Sequence, residues 1–438
     1  MLPLDDAVDR FIPLDDGTGK FLFDNWTNKI VQREQMLALL PAGVRGDDIK
    51  RHPLWISRGA YYLSEVGFDP SGKDGRVKLN TWQGWPMSPK KGCCEKLVEL
   101  LEYLCSGEVD AEGRPNGRMV ARWLLCWMAY PLQHPGAKMA SAVIMHGPQG
   151  TGKSTVFQAL AKIYGDYSTV LNQRGLEDRF NSDWADSKLF ILAEEVVTRA
   201  EMWHIKNELK ELVTGSKIRV NPKNVAAYEQ RNQINLVFLS NENQPLPLEN
   251  DDRRHLVVYT PPSLSEDYYD EVFLELENGG YEAFYHYLIN LDLGDFHPKK
   301  RPPMTQSKQV LIDLTKPAEI RFTEDWMRGD TKWPFCPCTS KQLYRAYEKW
   351  ADENGERYRV NRNTFINTVT RAFSWEKKPE PIFESTFYSS TLAERPTFIL
   401  PDDTSLSKFK GRVVPQDKTR KQYLTDCFFA FQGAEEKD

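Results

Sequence analysis

One octapeptide restricts this 438-residue chain more than any other feature. Gly147-Pro-Gln-Gly-Thr-Gly-Lys-Ser154 is a full match to G-x-x-x-x-G-K-[ST], and its flanks agree with it. Ahead of it, Ser141-Ala-Val-Ile-Met145 is a short apolar run that reads as a buried parallel strand. Behind it, Val156, Leu160 and Ile163 share one helical face, with Phe157, Ala161 and Tyr164 beside them. A glycine-rich turn between strand and helix lets backbone N–H groups point inward and cradle phosphate oxygens. Gly147, Pro148, Gln149, Gly150, Thr151 and Gly152 supply that cradle, and Thr155 follows it. Lys153 would place a point charge on the β- and γ-phosphates, and the Ser154 hydroxyl would ligate Mg²⁺. The expected ligand is a nucleoside triphosphate.

Three later segments extend that reading. Lys188-Leu-Phe-Ile-Leu-Ala193 is a second buried strand, ending in Glu194-Glu195. A carboxylate at a strand tip beside a phosphate loop holds Mg²⁺, and a second polarises the attacking water. Glu194 takes the first role and Glu195 the second. Gln233 to Ser240 is a third strand, ending in Asn241, whose amide can bond the lytic water or the γ-phosphate. Arg253-Arg254 follows an acidic turn. Either arginine, presented to a neighbouring subunit, would stabilise transition-state charge; the bland alternative pairs it with Asp251 or Asp252. Between these segments Lys217-Ile-Arg-Val-Asn-Pro-Lys223 alternates, with Ile218 and Val220 packed and Lys217 and Arg219 outward. Such a hairpin can grip DNA phosphates with Lys217, Arg219 and Lys223, or simply be a solvated hairpin.

Composition bounds the rest. Net charge is −5 and 27% of residues are charged, ordinary for a globular protein, so bulk positive charge cannot carry nucleic-acid binding. Residues 298–378 nevertheless hold 17 Lys/Arg against 10 Asp/Glu, a local excess of cations. No run approaches a membrane span, the N-terminus lacks signal-peptide features, and seven cysteines at irregular spacing read as free thiols. A cytoplasmic location without membrane contact is expected. Cys336-Pro-Cys338 lacks a second Cys/His pair at zinc spacing, and His146 reads as packed.

Six segments are expected. Residues 1–90 form a small N-terminal domain with hairpins, 91–140 a helical pair, 141–262 the α/β core and 263–300 a helical extension. Residues 301–337 read as a linker. Within 338–438, a helix marked by Leu343, Tyr344, Tyr347 and Trp350 precedes a second helix from Asn363 to Phe373. Ile382–Ser389 and Pro396–Leu400 would form a β-wing. Asn363, Asn367 and Arg371 would face outward to grip DNA in this winged-helix-like module.

The ordered set of Gly147–Ser154, Glu194-Glu195, the basic stretch after Gly215, Ser240-Asn241 and Arg253-Arg254 resembles superfamily-three helicases. The closest resemblance is to the primase–helicases of phages, plasmids and poxviruses. Leu79-Asn-Thr-Trp-Gln-Gly84 and Trp123–Pro135 also look like their helicase-side lead-in. The resemblance implies an AAA+-like P-loop ATPase core, ATP with Mg²⁺, a hexameric ring and DNA threaded through its pore. It implies phosphate and metal contacts for Lys153 and Ser154, metal and water roles for Glu194 and Glu195, a sensor in Asn241, and a finger in Arg253 or Arg254. The chain departs from the usual Asp-Glu pair, and no primase or polymerase module is read upstream, so such a partner is either separate or fused. The expected function is an ATP-dependent replicative DNA helicase. The alternatives are a DNA-binding ATPase loader or origin-binding scaffold, a small-molecule kinase, and a packaging motor.

Overall fold

The computed structural model describes residues 1–172, 181–195, 206–221, 228–243, 245–249, 251–356, 358–383, 395–411, 413, 415 and 417–435. The chain divides into two compact units, Met1–Leu311 and Ile312–Asp438.

The first unit opens with α1 (Leu4–Arg10), β1 (Phe11–Asp15), β2 (Phe21–Asp24) and β3 (Lys29–Gln32), then α2 (Arg33–Leu39), α3 (Gly46–Arg51) and α4 (Pro53–Arg58). β4 (Tyr61–Tyr62) joins the edge of β1 in parallel, giving the order β3-β2-β1-β4. The β1–β2 hairpin turns where Asp16 accepts the N–H groups of Thr18 and Gly19 at 3.0 and 2.7 Å. Asp16 therefore serves a turn. Two short strands, β5 (Val66–Gly67) and β6 (Leu79–Asn80), lead to α5 (Glu95–Cys105) and α6 (Gly117–Gln133). Leu97, Leu100, Leu101 and Leu104 of α5 and Val120, Leu124 and Trp127 of α6 enter one large core.

That core is built on a five-stranded parallel sheet. Its strands are β7 (Ala142–His146), β8 (Ser168–Leu171), β9 (Phe190–Ala193), β12 (Asn235–Ser240) and β13 (His255–Tyr259), in the order β13-β7-β12-β9-β8. β7, β9 and β12 are buried along their whole length, as parallel strands covered on both faces must be. α7 (Lys153–Tyr164) follows β7, and the short α8 (Ser182–Ala185) precedes β9. Between β9 and β12 lie α9 (Lys206–Thr214) and the antiparallel pair β10 (Lys217–Val220) and β11 (Tyr228–Arg231). α10 (Glu266–Glu275) and α11 (Tyr281–Ile289) follow β13, and α12 (Gln306–Thr315) comes next in the chain.

The stretch 301–337, expected as a linker, is largely helical: α12 is followed by α13 (Ala318–Arg328). Its Phe322 and Trp326, four residues apart, are fully buried in the core of the second unit. Helical spacing was present there and the Pro/Lys-rich start masked it. Next come β14 (Cys338–Thr339), α14 (Ser340–Glu353), α15 (Arg362–Phe373), β15 (Glu376–Pro379) and β16 (Thr397–Leu400), then α16 (Asp403–Lys408) and α17 (Arg420–Glu435). Thr339 caps α14, accepting the Gln342 N–H at 3.2 Å while the Gln342 side chain accepts the Thr339 N–H. Asn361 caps α15 through the Thr364 N–H. The expected wing is displaced: β15 lies at 376–379 and pairs with β16, while 384–394 are outside the described residues. All four β15 residues are exposed, so no apolar alternation marked the strand. No helix among the described residues is long and apolar enough to cross a membrane.

Trp326→Ala removes the ring that meets Phe335, Trp375 and Phe431. It is expected to destabilise the second unit by about 3–5 kcal/mol. Hydrogen exchange should show lost protection concentrated beyond residue 312.

Candidate functional site

The in-register parallel sheet decides which side chains meet. Ser240 pairs with His146 and Phe238 with Ala193, so β7, β12 and β9 end close together at one edge. From that edge emerge the loop 147–152, Asn241 and the Glu194-Glu195 pair. Residues 149–152 of the loop, Asn241 and the two glutamates line one cleft of about 450 Å³ together with Lys153, Ser154, Thr155, Tyr269 and Phe273.

The loop depends on its glycines. Gly147 has φ +139°, and a Cβ there would lie 2.5 Å from the Thr260 hydroxyl. Gly152 has φ +89°, and its Cβ would press Leu100 and Tyr269 at 3.0 and 3.2 Å. A side chain at either position is therefore excluded by both conformation and space. Thr260, fully buried after β13, fastens the loop: its N–H donates to His146 O at 2.8 Å and its hydroxyl lies 3.2 Å from that of Thr151. No motif flagged Thr260.

Lys153 lies at the start of α7 with its ammonium turned into the loop. It donates to the carbonyls of Gly147 and Pro148 at 3.0 and 2.7 Å and to Asn241 Oδ1 at 3.2 Å. Burial lowers its pKa to about 8. Two sequence candidates 88 residues apart are thus in direct contact. Glu194 Oε1 accepts from Gln158 Nε2 at 3.1 Å, one helical turn beyond Ser154. Glu195 adopts φ +56°, a left-handed conformation that costs a non-glycine residue roughly 1 kcal/mol. His146 is packed, with Nδ1 3.1 Å from Glu242 O; desolvation and the nearby Lys153 charge lower its pKa.

The arginines stand elsewhere. His255 pairs with Ala142 at the opposite end of β7, and Arg254 O accepts the Ala142 N–H. The β7 strand, four steps of ~3.3 Å, separates that end from the loop. Arg253 is exposed, Arg254 is partly so, and neither guanidinium is ion-paired among the described residues. The alternative pairing with Asp252 is not what the structure shows. Asp252 is buried; it accepts the N–H groups of Arg254 and His255 and pairs with Lys308 Nζ at 3.0 Å and His255 Nδ1 at 2.9 Å. Burial alone would raise its carboxyl, but the His255 bonds and the charges of His255 and Lys308 outweigh burial and hold it well below the usual range.

The basic hairpin has the expected facing: Lys217 and Arg219 are exposed and Val220 is buried. Lys217 pairs with Glu229 at 2.8 Å, and Lys223 lies outside the described residues. The base of the hairpin is pinned by groups that periodicity could not flag. Asn232 Nδ2 donates to Leu212 O and Gly215 O, and the Lys138 ammonium donates to Leu212 O and Ile234 O. Burial lowers the Lys138 pKa to about 7. In the second unit, Asn363, Asn367 and Arg371 are exposed at four-residue spacing along α15, a single solvent stripe. Among the described residues no three His, Cys, Asp or Glu side chains gather as a metal cluster.

Comparison with known proteins gives three kinds of likeness. Residues 145–254 match a family described as a family of unknown function, DUF5906. A DNA primase-polymerase of Nitratiruptor phage NrS-1 is 24% identical over 347 residues, covering 78% of this chain. The chain spans 44% of that protein's length. Two apo structures of the NrS-1 C-terminal region superpose with TM-scores of 0.61 and 0.60 at 16% and 18% identity. Each covers 90% of this chain, and 96% and 97% of that region. At that identity the likeness is one of fold.

Asp252→Asn should destabilise the protein by about 3–5 kcal/mol at neutral pH, because it leaves the buried Lys308 charge uncompensated. The folded carboxyl is depressed, so its contribution is present above the unfolded value of ~3.9 and is lost as pH falls below it. Urea titrations should therefore show the gap between wild type and variant closing in acid.

Proposed function

We propose that this chain is a Mg²⁺-dependent ATPase acting in DNA replication, a helicase that translocates on single-stranded DNA as a hexameric ring. One observation carries the reading: the Gly147–Ser154 loop, Glu194, Glu195 and Asn241 share a cleft, while Arg253 and Arg254 lie at the far end of the same sheet. A loop that cradles phosphates and arginines at the opposite end of its sheet would form a complete site between neighbouring copies. The phage primase-polymerase relative supports a replication setting and DNA as partner. A primase or polymerase module, fused or separate, belongs to that setting.

The residues fit a nucleotide with its metal. The loop glycines leave the space in which backbone N–H groups can turn to phosphate, and Ser154 and Glu194 provide a hydroxyl and a carboxylate in the same cleft. Mg²⁺ keeps most of its waters, so two protein groups suffice to hold it. When bound it would neutralise charge on the transferred phosphoryl group. Lys153 would exchange its loop carbonyls for phosphate oxygens. Asn241, 3.2 Å from the Lys153 ammonium, would bond the same phosphate or the attacking water. Glu195 would accept that water's proton. The exposed Lys217 and Arg219, together with Lys223, would hold the DNA backbone in the pore. The order helix, strand, two helices, two strands in the second unit supports a winged-helix module gripping DNA with Asn363, Asn367 and Arg371.

Strand displacement on forked DNA is the direct test. Wild type should separate strands with ATP and Mg²⁺, and Lys153→Ala should not; ATP hydrolysis without displacement at either polarity would leave a loader or origin-binding scaffold. Glu195→Gln should retain nucleotide binding and lose turnover by at least ~10²-fold.

Arg253→Ala/Arg254→Ala should reduce turnover ~10³-fold or more. Mixing that protein with Lys153→Ala should restore hydrolysis above either alone, because mixed rings contain intact junctions. A mixture no more active than its components would exclude a shared site.

A further inference from the structure

Phe273 is out of place in its surroundings. It is a large apolar ring, 49% exposed, in a cleft otherwise formed mainly by the glycine-rich loop, two glutamates, Ser240 and Asn241. α10 carries it there with Tyr269, four residues earlier, so both rings lie on one helical face about 6 Å apart along the axis. Tyr269 marks the loop end, its Cε1 only 3.2 Å from where a Gly152 Cβ would sit. Its hydroxyl is engaged, accepting the Leu264 N–H at 3.0 Å.

The neighbouring face of α10 is bolted down. The Glu275 carboxylate accepts the N–H groups of Lys96 and Leu97 at the start of α5, both at 3.1 Å. Lys96 Nζ pairs with Glu271 at 2.9 Å, and the Tyr268 hydroxyl donates to Lys96 O at 3.2 Å. None of these contacts uses Phe273, so the helix is held while this ring is left open to the cleft.

We infer that Phe273 is a stacking shelf for the base of a purine nucleoside triphosphate, which the site takes by its π-face rather than by its edge. The inference rests on reading the loop as a phosphate site. With phosphates at Lys153, the base must lie one ribose beyond them, and Phe273 stands one helical turn past the ring that touches the loop. Every base has a π-face, and a purine covers more of the ring than a pyrimidine does. Among the described lining residues, the polar side chains belong to the loop, the first turn of α7 and the strand tips, and α10 contributes only its two aromatic rings. Edge reading of adenine against guanine has no group on α10 to perform it.

The test is calorimetric binding of ATP, GTP, CTP and inorganic tripolyphosphate to the full chain, wild type against Phe273→Ala and Phe273→Leu. The wild type should bind ATP and GTP within a few-fold of each other and CTP more weakly. Phe273→Ala should weaken both purine nucleotides roughly 5- to 100-fold and leave tripolyphosphate unchanged. Phe273→Leu keeps the bulk and loses the π-face, and should lose most of the same affinity. Full ATP affinity in either variant, with tripolyphosphate still bound, overturns the shelf; so does a preference of ATP over GTP beyond about tenfold. A wild type that binds neither ATP nor tripolyphosphate instead overturns the phosphate-loop reading beneath it.

Discussion

The parallel pairing of β7 with β12 on one side and β13 on the other organises the first unit. In a parallel sheet all strands leave at the same edge, so residues that follow different strands converge there whatever their distance in sequence. Ser240 opposite His146, and Ala193 opposite Phe238, bring Asn241 and the Glu194-Glu195 pair to the loop after β7. The same register sends Arg253 and Arg254 to the other edge, because they precede their strand. A slip in β13 would move both the arginines and Thr260, which fastens the loop.

Three lysines of the first unit are held by hydrogen bonds that tie one element to the next. Lys153, Lys138 and Lys308 each bring an ammonium out of water, and each donates to backbone carbonyls. The cost of burying a charge is partly offset by such bonds, and depressed pKa values at Lys153 and Lys138 register the remainder. Lys308 also has a true counter-ion in Asp252. These three amines sit at the loop, the base of the hairpin and the arginine turn. The places where the proposed function needs fixed geometry are thus the places where charge is buried and satisfied.

Much of this was legible in the residues. The apolar runs at 141–145, 188–193 and 233–240 are long enough and bare enough of charge to be recognised as buried strands. Leu97, Leu100, Leu101 and Leu104 repeat at helical spacing. Other parts were hidden for physical reasons. Glu376-Lys-Lys-Pro379 is a strand by backbone pairing alone, with no buried side chain to set a period. The helices within 301–337 are signalled by Phe322 and Trp326, whose burial depends on a core assembled from segments as distant as Phe431.

By itself, the sequence determined the local units: a strand, a glycine turn and a helix in immediate succession, since backbone conformation there depends on neighbours alone. It also determined which short segments end in carboxylate, amide or guanidinium. Tertiary structure decided which of those ends meet. The contact of Lys153 with Asn241, the removal of Asp252 from the arginines to Lys308, and the arrival of Tyr269 and Phe273 in the cleft follow from strand order and helix packing. Those are long-range choices, made by burying apolar surface between segments far apart in sequence, and no local pattern carries them.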